Sequence, residues 1–196
     1  MRPLFHEGGR ICFCVSRIHL GCGLERSRCE MKISESNYTG KRVSVISELP
    51  FEEVVKRFDV LIGHPDMHEF GESLRRTKSA EELSRLVDGA VSEAKLMEFT
   101  RFDLGDVMKR RFGPQAGRSL RVVAGNPVTM SSMAVHIPDA GSYAPVTILI
   151  DERKDGVHLT YDTMESYLAG YGNEAALTVA RELDREVLGV LESAAG

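Results

Sequence analysis

Apolar residues recur along this chain with two different periods. Lys41 to Ile46 (KRVSVI) alternates, with Val43 and Val45 on one face, and predicts a short strand. Phe51, Val54, Val55, Phe58, Leu61 and Ile62 then follow at helical spacing, so Pro50 to Leu61 reads as an amphipathic helix, with Pro50 acceptable in its first turn. Ser79 to Val91 predicts a second helix, because Ser79 followed three positions later by Glu82 is a capping box. Lys95 to Phe102 alternates again, setting Leu96, Glu98, Thr100 and Phe102 on one side and Met97, Phe99 and Arg101 on the other. Asp103 caps a helix through Phe112, which Gly113-Pro114 stops.

The densest strand and turn signals lie in residues 119–172. Ser119 to Ala124 reads as a strand and Val128 to Val135 as a short helix or irregular turn. Val146 to Asp151 and Val157 to Tyr161 read as a hairpin, turned by Asp155-Gly156. His158 lies within that second arm, either facing solvent or paired across the sheet. Glu174 to Leu191 is the clearest amphipathic helix, with Leu177, Ala180, Leu183, Val187, Val190 and Leu191 along one face. The set predicts an α+β two-layer sandwich, a mostly antiparallel sheet with helices packed on one face.

Composition acts mainly by exclusion. The chain has 196 residues, enough for one domain with a core, and is 42% apolar and 28% charged, close to the norm for a globular protein. No apolar run approaches the roughly 20 residues of a membrane helix, so no membrane association is expected. A net charge of -4, with basic and acidic residues interspersed, argues against nucleic acid as a partner. All four cysteines (Cys12, Cys14, Cys22 and Cys29) fall in the leading segment, and their spacing does not match a zinc knuckle. The rest needs no disulfide, which suits a reducing, cytoplasmic setting. Residues 1–30 read as a disordered leader or an extension upstream of a start at Met31. Residues 31–196 read as one α+β domain.

Candidate chemistry is sparse. His64-Pro65-Asp66-Met67-His68-Glu69 gathers two histidines and two carboxylates, but without a third ligand pattern it reads as a surface loop rather than a metal site. No phosphate loop, nucleophile elbow, dinucleotide fingerprint or zinc-protease motif occurs, and no cofactor is expected. The best polar set is His136 and Asp139, with Tyr143, Tyr161 and Asp162 on nearby elements. There a carboxylate beside an imidazole would serve proton transfer. Gly125-Asn126-Pro127 follows a strand. Its Asn126 amide either ties the turn to nearby backbone amides or contacts a ligand.

These residues carry a resemblance as well. Ala124-Gly125-Asn126-Pro127, Tyr143-Ala144-Pro145-Val146 leading into Ile148-Leu149-Ile150-Asp151-Glu152, and Leu159-Thr160-Tyr161-Asp162 resemble, in order and spacing, the family called domain of unknown function 302. The resemblance runs over roughly residues 43–191, strongest over 120–168, with the segment near 63–89 as an atypical insert. It implies a two-layer α+β fold and a homodimer, and names no reaction.

Three functions follow as expectations. The first is small-molecule binding in a cleft near the Gly-Asn-Pro turn, contacted by Gly125, Asn126, Tyr143, Tyr161 and Asp162. The second is a structural or homodimerisation module that pairs through exposed sheet edges. The third is an enzyme using His136 and an acidic partner such as Asp139.

Overall fold

Five strands and the helices between them follow the two periods. The computed structural model describes residues 32–196, so the leader, its cysteines and Met31 lie outside the described residues. Residues 37–196 form one unit. In chain order it contains β1 (Arg42–Ser47), α1 (Phe51–Leu61), α2 (Met67–Arg76), α3 (Ala80–Asp88), β2 (Met97–Asp103) and α4 (Leu104–Phe112). There follow β3 (Ser119–Gly125), α5 (Pro127–Ala134), α6 (Ala140–Tyr143), β4 (Val146–Arg153), β5 (Gly156–Asp162), α7 (Met164–Leu168), a 3-10 turn and α8 (Glu174–Ala195).

The sheet runs β1-β5-β4-β3-β2, with every neighbouring pair antiparallel. Its register places Tyr161 opposite Ile148, Leu159 opposite Ile150 and Val122 opposite Ile148, which aligns one apolar face. Against that face pack α1, with Val54 and Phe58 fully buried, and α8, with Leu177, Ala180, Leu183, Val187, Val190 and Leu191 buried. The predicted α+β sandwich is therefore present, an antiparallel sheet with helices on one face. No helix among the described residues is long and apolar enough to cross a membrane.

Local capping explains several boundaries. The Ser79 hydroxyl accepts from the Glu82 amide at 3.2 Å, while the Glu82 carboxylate accepts from the Lys78 amide at 2.8 Å. The Asp103 carboxylate accepts from the Asp106 amide at 2.7 Å and starts α4. The expected surface loop at His64 to Glu69 is shorter than its composition suggests. Asp66 accepts from the His68 and Glu69 amides, both at 2.9 Å, and so starts α2 in the middle of it. Helices α2 and α3 then bury Phe70 and Val87 with Met97 of β2, and Phe99 and Val128 pack beside them as a second, smaller core.

Candidate functional site

The edge strand β2 departs from regular alternation at one residue. Glu98 stands opposite Ala124, yet Thr100 stands opposite Val123 and Arg101 opposite Val122, so Phe99 is the extra residue of a β-bulge. Ala124 and Val122 share the helix-covered face, and the bulge therefore turns both Glu98 and Arg101 onto that same side. Regular pleating would have placed them on opposite faces, as the alternating pattern of Lys95 to Phe102 predicts. Phe99 is held in the small core of α2 and α3, which gives the bulge an apolar anchor.

A second device brings the chain after α1 to the same place. Gly63 donates its amide to the Leu96 carbonyl at 2.9 Å and accepts from the Glu98 amide at 2.8 Å, forming a short parallel bridge to β2. A Cβ at Gly63 would lie 2.0 Å from the Ala90 carbonyl oxygen, so a side chain here would collide with backbone. The bridge delivers His64 beside Glu98, and Asp59 reaches in from the last turns of α1. Asp59, His64 and Glu98 offer ligand atoms all within 4.8 Å of one another.

Arg101 completes the cluster. Its Nε donates to Glu98 Oε1 at 2.8 Å and its Nη2 to Asp59 Oδ1 at 2.7 Å, so one guanidinium bridges both carboxylates. Hydrogen bonds to Glu98 first, and then to Asp59, raise the Arg101 pKa further above its ordinary value, against the opposing effect of burial. His64 Nε2 lies 2.9 Å from the Asp59 carbonyl oxygen, which can only accept, so that nitrogen carries the proton. Nδ1 faces Glu98 Oε2, 3.6 Å away.

Asp59 also belongs to the wall of an open cleft of about 660 Å³ between α1, the start of α4 and the start of β3. Phe51, Val55 and Leu120 supply apolar surface there, and Lys56, Lys109 and Arg118 supply cations. Gly105 admits the close contact of α4 with β3, because a Cβ there would lie 2.7 Å from the Ser119 amide nitrogen. The cleft thus has apolar and ionic walls, and Asp59 is the member of the Arg101 cluster that lines it.

The polar residues singled out in the sequence lie elsewhere. Asn126 is 8% exposed, and its side-chain oxygen accepts from the Val128 and Thr129 amides at 2.9 and 3.3 Å, capping α5. Its amide nitrogen donates to the Lys95 carbonyl at 3.2 Å, so both ends of the side chain tie backbone together. Gly125 is buried at the end of β3 beside Pro145. Tyr161 is 1% exposed and donates to Asp184 Oδ1 at 2.6 Å. Asp184 also accepts from the Met164 and Glu165 amides, at 2.7 and 3.1 Å, and caps α7 from across the core. Burial raises the Tyr161 pKa, with the Asp184 charge adding to it. Burial likewise raises the Asp184 pKa, although the hydrogen bonds from Tyr161 and the two amides oppose that shift.

Asp162 faces out and pairs with Arg42, whose Nε and Nη2 lie 2.6 and 2.7 Å from its oxygens. The hydrogen bond from Arg42 holds the Asp162 carboxyl below its ordinary value. Tyr143 stacks on Tyr167 with ring centres 4.7 Å apart, and Tyr167 donates to Asp162 at 3.3 Å. His136 and Asp139 are both exposed after α5, and the Asp139 carboxylate accepts from the Tyr171 hydroxyl at 2.8 Å. Tyr143, Asp162 and Asp139 therefore share an aromatic surface patch, while Tyr161 lies beneath it in the core.

Sequence reasoning missed Asp59, Glu98 and Arg101. His64 was visible as part of a His/Asp/Glu run, but its neighbours in space come from α1 and β2 rather than from that run. The family model described as "Domain of unknown function DUF302" matches residues 72–194. Glu98 and Arg101 fall inside that span, and Asp59 and His64 precede it. Among solved structures, an uncharacterized conserved DUF302 protein from Bacillus stearothermophilus aligns with a TM-score of 0.54 at 10% identity. The alignment covers 78% of this chain and 96% of that one, and at such identity the likeness is one of fold. No curated protein matches the chain.

Proposed function

Because the chain belongs to the DUF302 family, whose name assigns no activity, we propose a function from the site itself: Asp59, His64 and Glu98 bind a divalent cation beside the α1–α4 cleft. The observation that carries this reading is the mutual approach of three ligand atoms to within 4.8 Å, supplied by two carboxylates and an imidazole. The His64 hydrogen bond supports it. A ligating histidine ordinarily donates its other ring N–H to a carbonyl or carboxylate, and here Nε2 is engaged by the Asp59 carbonyl while Nδ1 faces the Glu98 carboxylate.

One nitrogen and two oxygen donors suit Zn²⁺ or Mn²⁺. Three protein ligands leave a coordination position for an outside group, where a bound ion would polarise a carbonyl or phosphoryl oxygen of a ligand. Arg101 bridges both carboxylates, and it must swing away for an ion to enter. Its side chain is 32% exposed, so solvent is available to receive it.

Isothermal titration with Zn²⁺ and with Mn²⁺ tests the proposal. The wild-type protein is expected to bind one ion with micromolar affinity, and His64→Ala and Glu98→Gln are expected to lose that binding. A wild-type protein that binds neither ion below millimolar concentration would leave the cluster as an arginine brace between α1 and β2.

A further inference from the structure

On the sheet face opposite the helices, a hydroxyl, an imidazole and a carboxylate form a continuous relay. Ser44 Oγ of β1 lies 3.1 Å from His158 Nδ1, and His158 Nε2 lies 3.0 Å from Asp155 Oδ1 in the β4–β5 turn. Thr160, opposite Ser44 across the β1–β5 pair, places its Oγ1 3.1 Å from Ser44 Oγ.

The acceptor at one end orders the donors of the chain when the imidazole is neutral. An ionised carboxylate can only accept, so Nε2 carries the imidazole proton and donates it to Asp155. The Asp155 carboxyl is held below its ordinary value by that hydrogen bond, which keeps it ionised near neutrality. In the neutral imidazole Nδ1 then has only a lone pair and accepts from Ser44. With its own proton committed to His158, Ser44 Oγ can meet Thr160 only as an acceptor. The polarity runs from Thr160 to Ser44 to His158 to Asp155, the order in which a serine is activated by a base that a third group orients.

Exposure is distributed as such a site requires. His158 is 5% and Thr160 7% exposed, so the base is shielded from bulk water. Ser44 itself is exposed, on an edge strand. Ile46, two residues along the same face, is 52% exposed and gives a short apolar group something to rest against.

We propose that Ser44 is a nucleophile toward small esters of acidic alcohols, with His158 as its general base and Asp155 as a positioning residue. Ser44 Oγ bonds to the acyl carbon as its proton passes to His158 Nδ1. The bond from acyl carbon to the ester oxygen breaks, and the leaving alkoxide takes that proton. Water then attacks the acyl carbon, giving a proton to Nδ1. The carboxylic acid leaves as Ser44 Oγ recovers that proton. This site shares no residue with the Asp59 cluster, so the two stand or fall separately.

The test is acetylation by p-nitrophenyl acetate, followed by p-nitrophenol release and by peptide mass mapping of the adduct. The wild-type protein is expected to show an acetyl group on Ser44, and Ser44→Ala is expected to lose both the adduct and the matching release. Asp155 is an exposed turn residue, so Asp155→Asn should leave the thermal unfolding midpoint unchanged. It should slow acetylation about 100-fold through loss of the correct imidazole tautomer, with Asp155→Glu recovering part of the rate. Wild-type protein without an adduct on Ser44, or Asp155→Asn reacting as fast as wild type, overturns the proposal.

Discussion

Asp184 and Glu98 are both carboxylates surrounded by donors, yet the two surroundings differ in kind. Asp184 lies in the core on α8, 7% exposed, and every donor that reaches it is neutral: one phenol and two backbone amides. Glu98 lies on the edge strand, where the donor is the Arg101 guanidinium, itself shared with Asp59. Neutral donors fixed by the backbone cannot leave without unfolding part of the chain. A mobile cation can be exchanged for another. The first carboxylate therefore holds the fold, and the second is available for binding.

Substitutions can break this contrast in either direction. The largest stability effect is expected at Asp184. Asp184→Ala leaves a buried phenol and two amides without their acceptor, and should cost about 3 kcal/mol in urea unfolding. A variant with the wild-type midpoint would show that the tie carries no stability. Glu98→Gln should reverse the balance, weakening Zn²⁺ binding about 100-fold while changing stability by no more than about 1 kcal/mol, as for a partly exposed ion pair. Arg101→Met removes the competing internal cation and should tighten Zn²⁺ binding about tenfold in calorimetric titration. Equal or weaker affinity in Arg101→Met would mean that the guanidinium helps to place the ligands.

The smallest effect is a pH dependence confined to the core. The folded pKa of Asp184 is raised, chiefly by burial, so between the unfolded value of about 3.9 and the folded one the native state holds the extra proton. This contribution to stability is fully present below the unfolded pKa and is lost as pH rises through the folded one. Wild type should thus lose stability relative to Asp184→Asn as pH climbs through that window, measured by urea unfolding at a series of pH values. Parallel pH profiles for the two proteins would contradict the assignment.

The fold was legible wherever one face of an element meets the core. The spacing of Leu177, Ala180, Leu183, Val187, Val190 and Leu191 announces α8, and all six are buried as that spacing requires. Ser79 and Asp103 were readable as caps because a cap is a local bond, satisfied within three residues. Asn126 was readable for the same reason. The cluster of Asp59, His64, Glu98 and Arg101 was not, since it depends on contacts between distant segments and on an irregularity with only a faint sequence mark. The alternation runs unbroken through Phe99, and the polar pair Thr100-Arg101 before Phe102 breaks it without placing the bulge. The tie from Asp184 to Tyr161 was hidden likewise. One acid among the five of α8 looks like part of its solvated side until the packing of α7 is known.

The bulge at Phe99 has a consequence for how such a site arises. Register, rather than residue identity, decides here whether opposite charges meet: the same residues paired without the bulge would set Glu98 and Arg101, three apart, on opposite sides of the sheet. The way one edge strand absorbs a single extra residue can thus create or erase a charged cluster in one step. The apolar interior, whose strands β3, β4 and β5 keep their own register, need not change at all.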